Sequence, residues 1–75
     1  MELESAKLFA MAFAAAIGVI GPGIGLGMLV GKSVEAIGRN PDAYGKIFST
    51  MIVGAALTEA LGIIALVSAF LIRFL

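Results

Sequence analysis

Cysteine, histidine and tryptophan are absent from this 75-residue chain, and only 13% of its residues are charged. Without cysteine there is no disulfide framework and no thiol chemistry. Without cysteine and histidine we expect no transition-metal site. Acidic and basic residues balance at five each, so the net charge predicts neither nucleic-acid binding nor a polybasic surface. We also expect no cofactor and no intrinsic active site.

Apolar residues make up 61% of the chain, which leaves little polar surface for a soluble domain of this size. Two apolar segments stand out: residues 8–31 contain no charge, and residues 47–72 contain only Glu59. Each exceeds the roughly 20 residues that a helix needs to cross a bilayer. We therefore predict an all-α integral membrane protein. A cleaved signal peptide is disfavoured, because Glu2 and Glu4 replace the usual basic start.

A short polar stretch, residues 32–46, separates the two apolar segments. Gly38 is a candidate helix terminator, Asn40 a candidate N-cap, and Pro41 suits the first position of a new helix. This pattern predicts one domain, residues 1–75: helix 1 at about 4–38, a polar loop at about 39–41, and helix 2 at about 42–74. The chain would form a hairpin with both termini on one side.

Basic residues favour a cytoplasmic loop, with both termini on the opposite side. Lys32, Arg39 and Lys46 lie in or beside the loop, against Lys7 and Arg73 near the ends.

Glycine and alanine form two stripes on the first helix at helical spacing. One stripe comprises Ala10, Ala14, Gly18, Gly21 and Gly25, and the other comprises Ala12, Ala16, Gly23, Gly27 and Gly31. Small residues four apart let membrane helices approach closely. Because a hairpin supplies one partner helix only, two stripes favour a repeated array that closes into a homo-oligomeric ring over a plain dimer. Gly21, Gly23, Gly25, Gly27 and Gly31 are the predicted helix-packing residues.

Glu59 has twelve residues before it and thirteen after it in its apolar segment, which places it near the bilayer midplane. An ionised carboxylate there costs about 3 kcal/mol. We expect Glu59 to be protonated against lipid or protein, and to ionise only where it meets water or a cation from another subunit. This behaviour predicts a proton carrier. The competing interpretation is a hydrogen bond that fixes helix packing. Thr58 fits that packing role, through a bond to the carbonyl of Gly54.

The chain resembles the c-subunit of the F-type ATP synthase, the proteolipid of the rotor ring, over nearly its whole length. The glycine-rich run of residues 21–27 is similar to the first-helix motif of that family, and residues 31–37 followed by Arg39-Asn40-Pro41 are similar to its polar loop. Glu59 matches the ion-binding carboxyl. The resemblance implies that first helices line the inside of the ring and second helices the outside.

The resemblance also implies the partners and the cycle. Glu59 would exchange protons with two half-channels of the a-subunit, near an essential arginine of that protein, and would ride through membrane lipid between them. Arg39, Asn40 and Pro41 would contact the central stalk, made of the gamma and epsilon subunits. The residues expected to support the proton site are Leu26, Thr58, Ala60, Gly62 and Ile63. The default location is a bacterial inner membrane.

Sodium-coupled rings of this family add oxygen ligands around the carboxyl, which a hard cation needs. Here Leu26 stands where those rings usually have glutamine, and Ala60 and Leu61 stand where they have serine or threonine. Ile64 stands where they often have tyrosine. We therefore predict H+ as the transported ion. The alternatives are a sodium-coupled ring, a small proton-coupled transporter and a purely structural or lytic hairpin.

Overall fold

A computed structural model describes residues 2–75 as a helical hairpin. Helix α1 spans Leu3–Arg39, a single 3-10 turn spans Pro41–Ala43, and helix α2 spans Tyr44–Ile72. At 1.5 Å per residue the helices are about 55 and 43 Å long, and both are apolar and long enough to cross a membrane. The molecule measures 59 × 16 × 7 Å, the shape of two helices side by side.

Four residues, Asn40 to Ala43, connect the two helices, and the last three form the 3-10 turn. The Asn40 amide donates to the carbonyl of Ala36 at 3.0 Å, which closes α1, and the Ala43 amide donates to the carbonyl of Asn40 at 3.0 Å. Pro41 is the first residue of the 3-10 turn. Its ring disfavours helical geometry at Asn40, whose φ of −141° marks the break.

One detail of the predicted turn is wrong. Gly38 does not end the first helix, because it lies inside α1, and no glycine in residues 2–75 has a positive φ. The break comes instead from Pro41, which acts on Asn40. Asn40 is the N-cap residue of the 3-10 turn and Pro41 is its first residue, as predicted, although the Asn40 side chain makes no capping hydrogen bond. The second helix begins at Tyr44 and ends at Ile72, two residues inside each predicted bound.

The helices approach closely where a glycine of one helix faces a side chain of the other. A Cβ at Gly18 would lie 2.6 Å from the Cβ of Ala65, and a Cβ at Gly54 would lie 2.9 Å from a methyl group of Leu29. Both pairs are symmetrical about the bond between Pro41 and Asp42. The tight turn therefore fixes the antiparallel register, and glycine lets the backbones approach at these two levels.

Most of the hairpin surface is apolar and uncovered. Within residues 2–75 only Ala69 and Ser33 are buried, while large apolar side chains from both helices are exposed along their full length. A single hairpin therefore encloses almost no core, and its surface requires lipid or further copies of the chain to cover it.

An ion pair joins the open end of the hairpin, where the guanidinium of Arg73 donates to the carboxylate of Glu4. This hydrogen bond, followed by the charge of Arg73 and then of Lys7, lowers the pKa of the Glu4 carboxyl from its usual 4.5 and outweighs a small opposing effect of desolvation. The contact connects residues 69 positions apart, so it closes the end opposite the turn.

The contact between Gly18 and Ala65 predicts a destabilising substitution and its rescue. Gly18→Ala places a methyl group against Ala65 and should lower the free energy of unfolding by about 1–3 kcal/mol. Adding Ala65→Gly removes the opposing methyl group and should recover most of that loss. Unfolding of the purified protein in denaturing detergent, followed by circular dichroism, measures both effects.

Gly38→Ala is the matched control, because a Cβ at Gly38 meets nothing within 4 Å. It should stabilise α1 by up to about 1 kcal/mol, as alanine favours helix over glycine. Equal loss in Gly18→Ala and in the double variant would contradict the proposed register.

The lowered pKa of Glu4 predicts a pH-dependent closure of the open end. The pair stabilises the hairpin at pH above 4.5 and its contribution is lost as the pH falls through the lowered pKa. Arg73→Gln should raise the pKa of Glu4 back toward its usual value. An NMR titration of the Glu4 carboxyl carbon in detergent micelles checks this, and an identical Glu4 titration in the variant and the unchanged protein would refute it.

Candidate functional site

Glu59 lies near the middle of α2, with fifteen residues before it and thirteen after it in Tyr44–Ile72. At 1.5 Å per residue its Cα is roughly 20 Å from either end of the helix. It is the only charged residue between Ile47 and Ile72. A helix that crosses the bilayer therefore holds this carboxyl well inside the hydrocarbon region.

Glu59 lines a cleft of about 210 Å³ between the two helices. Residues three and four apart on an α-helix share a face, so α2 lines the cleft with one continuous stripe. Helix α1 lines it with residues at and beside Pro22. The residues that line it are Val19, Pro22, Gly23, Glu59, Gly62, Ile63 and Leu66. Glu59 is the only ionisable residue among them, so the cleft is apolar apart from one carboxyl.

Pro22 and Gly62 bring the helices together beside Glu59. A Cβ at Gly62 would lie 3.8 Å from the Cβ of Pro22, which is ordinary van der Waals contact. Helix α1 continues through Pro22 although proline donates no hydrogen bond to the carbonyl of Gly18. Gly23 and Gly62, which have no side chain, leave open the space of the cleft that Glu59 lines.

Glu59 has no partner of opposite charge in the part of the chain that the structure describes. The ion pairs there join Lys32 and Arg39 to Glu35, and Arg73 to Glu4, all outside the apolar segments. Among residues 2–75 no group of three or more histidine, cysteine or acidic side chains is placed to hold a metal ion. In a single hairpin the carboxyl is exposed at the surface rather than enclosed.

Thr58 carries the hydroxyl nearest to Glu59 in the sequence, and this hydroxyl bonds within its own helix. Thr58 donates to the carbonyl of Gly54 at 2.8 Å within its own helix, as the sequence predicted. Its methyl group faces α1 at the level of Gly25, where a Cβ would lie 4.0 Å away. Thr58 therefore bonds its own backbone and packs against α1, and it does not line the cleft of Glu59.

The structure brings two of the five predicted supporting residues to the carboxyl. Gly62 and Ile63 line the cleft, whereas Leu26, Thr58 and Ala60 do not. Sequence reasoning missed Val19, Pro22 and Leu66 as lining residues. Leu66 follows the spacing of Glu59, Gly62 and Ile63 on one helical face and could have been found. Val19 and Pro22 lie on the other helix, so their place in the cleft depends on the antiparallel register that the turn sets.

The predicted packing glycines lie mostly on open surface. A Cβ at Gly21, Gly23, Gly27 or Gly31 meets nothing within 4 Å, and only Gly25 approaches α2. Gly18 and Gly54, rather than these five, make the close contacts inside the hairpin. The face that carries Gly23, Gly27 and Gly31 is therefore free to accept a helix from another molecule.

The predicted stalk-contact residues lie at the turn, where Arg39, Asn40 and Pro41 are all exposed. Arg39 donates to the carboxylate of Glu35 at 2.7 Å, one helical turn back. Because Asn40 and Pro41 separate the two helices, these three residues form the tip of the hairpin, at the end opposite the Glu4–Arg73 pair.

The hairpin and its carboxyl define a class of protein: small membrane-spanning chains with one ionisable group at the middle of the bilayer. Comparison with known proteins is more specific, since the family model for the ATP synthase C-subunit matches residues 9–72. The chain belongs to the ATP synthase C-subunit family. The predicted fold class, an all-α membrane hairpin of a ring-forming family, is confirmed.

Similar proteins match along nearly the whole chain. The ATP synthase c-subunit of Chloroflexus aurantiacus is 49% identical over 72 residues, which is 96% of this chain and 95% of the relative. That of Dehalococcoides mccartyi is 46% identical over 74 residues, 99% of this chain and 97% of the relative. That of Geobacter sulfurreducens is 45% identical over 74 residues, 99% of this chain and 81% of the relative.

Proposed function

We propose that this chain is the proton-carrying rotor subunit in the membrane Fo sector of an F-type ATP synthase, with Glu59 as the group that binds the proton. The observation that carries the proposal is the lone carboxyl of Glu59 in an otherwise apolar cleft at the middle of α2. Membership of the ATP synthase C-subunit family supports the same role.

The cost of ionisation sets the cycle. In hydrocarbon the neutral acid is the stable form of Glu59, because the carboxylate costs about 3 kcal/mol there and has no cation of its own. Loading the proton lets the residue pass through lipid, and release requires water and a positive charge. Both must come from a different protein of the complex, which we propose is the a-subunit with its half-channels and arginine. One charge that crosses 100 mV supplies about 2.3 kcal/mol.

The open glycine face supports assembly into a ring. Gly23, Gly27 and Gly31 lie four residues apart and meet nothing within 4 Å, so the first helix of the next copy can approach closely there. We propose that α1 helices form the inner layer of the ring and α2 helices the outer layer. This arrangement puts Glu59, on α2, where it can reach lipid and the a-subunit.

The exposed tip of the hairpin is suited to contact with the central stalk. Arg39, Asn40 and Pro41 project beyond the apolar segments on the side that carries Lys32 and Lys46. We propose that this tip is cytoplasmic, that it contacts the gamma and epsilon subunits of the central stalk, and that the membrane is a bacterial inner membrane. The chain itself would have no active site and need no cofactor, and it would contribute to ATP synthesis as part of the complex.

The apolar lining of the cleft favours H+ over Na+. Beyond Glu59, the cleft is lined by Val19, Pro22, Gly23, Gly62, Ile63 and Leu66, none of which has a side-chain oxygen. Thr58, the neighbouring hydroxyl, already bonds the carbonyl of Gly54. A hard cation needs several oxygen ligands, whereas a proton needs only the carboxyl.

Glu59→Gln should abolish proton conduction through the membrane sector and proton-driven ATP synthesis, while rings still assemble. Glutamine keeps the size and the hydrogen-bonding capacity of the protonated acid but releases no proton. Synthesis by the reconstituted complex and ring recovery on gel filtration measure the two effects. Glu2→Gln, a change of the same kind at an exposed position near the chain end, should leave both unchanged.

Normal ATP synthesis by the Glu59→Gln complex would contradict the proposal and leave Glu59 a packing residue. Loss of the ring in that variant would also contradict it, because the carboxyl would then serve assembly.

Sodium should not protect Glu59 from modification by a carbodiimide, which reacts with the protonated carboxyl. The apolar cleft supplies no oxygen ligands to hold the cation, so the labelling rate at fixed pH should be equal with sodium and with choline as the added cation. Mass spectrometry of the modified chain gives the rate. A labelling rate that falls as sodium rises would establish the sodium-coupled alternative.

A further inference from the structure

The six aromatic residues of the chain are confined to the two ends of the hairpin. Residues 14–43 and residues 49–69 contain none. The second half of the chain has two aromatic pairs, Tyr44 with Phe48 beside the turn and Phe70 with Phe74 at the open end. The rings of the first pair stack with their centroids 5.5 Å apart, and those of the second meet edge to face at 5.2 Å.

Two further phenylalanines, on α1, lie level with the pair at the open end. The register that pairs Gly18 with Ala65 also puts positions 13 and 70 at one level and positions 9 and 74 at another. The hairpin therefore carries two aromatic belts. The turn-end belt comprises Tyr44 and Phe48, and the open-end belt comprises Phe9, Phe13, Phe70 and Phe74. All six side chains are between 40% and 70% exposed in the hairpin.

The two belts are centred on Glu59. Phe48 precedes Glu59 by eleven residues and Phe70 follows it by eleven, while Tyr44 and Phe74 are each fifteen residues away. At 1.5 Å per residue, Phe48 and Phe70 are about 33 Å apart along α2, and Glu59 is about 17 Å from each. The hydrocarbon core of a bilayer is about 30 Å thick. The spacing of the belts therefore matches a bilayer whose midplane passes through Glu59.

The aromatic residues of α2 also share a face with Glu59. Eleven residues make about three turns of an α-helix, so Phe48, Glu59 and Phe70 lie along one line of the helix surface. In the proposed cycle this face is turned to lipid while Glu59 carries its proton. Both aromatic pairs then meet the bilayer together with the carboxyl, one on each side of it.

Charged residues lie beside the belts and mark the same boundary. Arg73 directly precedes Phe74, and Lys46 lies between Tyr44 and Phe48. Long basic side chains extend from an apolar stem to the headgroup level. Tyr44 has an apolar ring with a polar hydroxyl, the kind of side chain that is enriched where hydrocarbon meets water. The belts therefore lie where the hydrocarbon region ends.

We propose that the two aromatic belts contact the two interfaces of the bilayer and hold the rotor subunit at a fixed depth, with Glu59 at the midplane. The partner of this surface is the region between acyl chains and headgroups, whatever the charge of the headgroups. The proposal rests on the proposed function, because a carboxyl that must reach two half-channels has to keep one depth throughout rotation. The six aromatic residues are positioning residues, and Glu59 remains the group that binds the proton.

Bilayer thickness tests the proposal, because two opposed anchors and a single anchor respond to it differently. With both belts a thicker bilayer should leave Glu59 centred, since the two interfaces act equally in opposite directions. With one belt the hairpin should follow the remaining interface, and every residue should shift relative to the bilayer centre by about half of the increase in hydrocarbon thickness.

The reporter of depth is a nitroxide label on Val53→Cys, which introduces the only thiol into a chain without cysteine. Val53 is 60% exposed and lies six residues, or about 9 Å, from Glu59 on the turn side. Electron paramagnetic resonance gives the depth of the label from its collision rates with oxygen and with a water-soluble nickel complex. The full assembly is measured in phosphatidylcholine vesicles of short and of long acyl chains.

The label should keep its depth in the thicker bilayer when both belts are present. Tyr44→Leu with Phe48→Leu should move the label toward the bilayer centre, because the open-end belt then fixes the hairpin. Replacing the four phenylalanines of the open-end belt by leucine should move it in the opposite direction, toward the turn-side interface. Leucine keeps the apolar bulk. Tyr44→Trp with Phe48→Trp is the matched control, which should leave the depth of the label unchanged because the belt stays aromatic.

Three results would overturn the proposal. The first is a label that keeps its depth in both leucine variants, which would mean that the charged residues at the helix ends fix the hairpin. The second is a shift in the same direction in both variants. The third is loss of the assembly in either variant, because the aromatic residues would then join copies of the chain.

The readout is depth rather than transport, so its outcome is separate from that of the proton proposal. Glu59→Gln should block transport while the label keeps its depth. Failure of the aromatic belts as anchors would leave the proton cycle intact, and normal ATP synthesis by the Glu59→Gln complex would leave the measured depths as they are.

Discussion

The hydrocarbon interior of the bilayer is the constraint on which the structure depends, because it offers no partner to a polar group. Helices α1 and α2 satisfy their own backbones, and the single proline inside α1 lies where α2 packs closely against it. The surrounding hydrocarbon also explains why the hairpin needs almost no buried core of its own. Its exposed apolar side chains are covered by lipid or by further copies, so stability comes from close helix contacts such as Gly18 with Ala65.

An ionised Glu59 carries a large free-energy cost in hydrocarbon, and the proposed function depends on that cost. A carboxyl with a cation in its own hairpin would stay ionised and immobile, and one with several oxygen ligands would retain a metal ion. The cleft supplies neither, because its other lining residues have apolar side chains or none. In the proposed cycle the neutral acid passes through lipid, and the proton is released only where another protein provides water and positive charge.

Residue patterns alone predicted the two spans and the position of Glu59, because both depend on where charge is absent along the chain. The bond from Thr58 to Gly54 was also predictable, since it is local to one turn of helix. The sequence pattern failed where two helices must be aligned. It placed the helix end at Gly38, although α1 continues to Arg39, and it did not identify Val19 and Pro22, which line the cleft of Glu59 from α1. The register comes from the geometry of one tight turn, and it also puts Phe13 level with Phe70.

The protonation state of Glu59 inside the membrane tests the central claim most directly. Infrared spectra of the assembly in lipid vesicles, at neutral pH and without sodium, distinguish a carboxylic acid from a carboxylate by the stretching band of its carbonyl. We predict a protonated-acid band that is absent from the spectrum of a Glu59→Gln assembly. A carboxylate band from Glu59 under these conditions would contradict the claim, because an ionised residue could not cross the lipid as a neutral carrier.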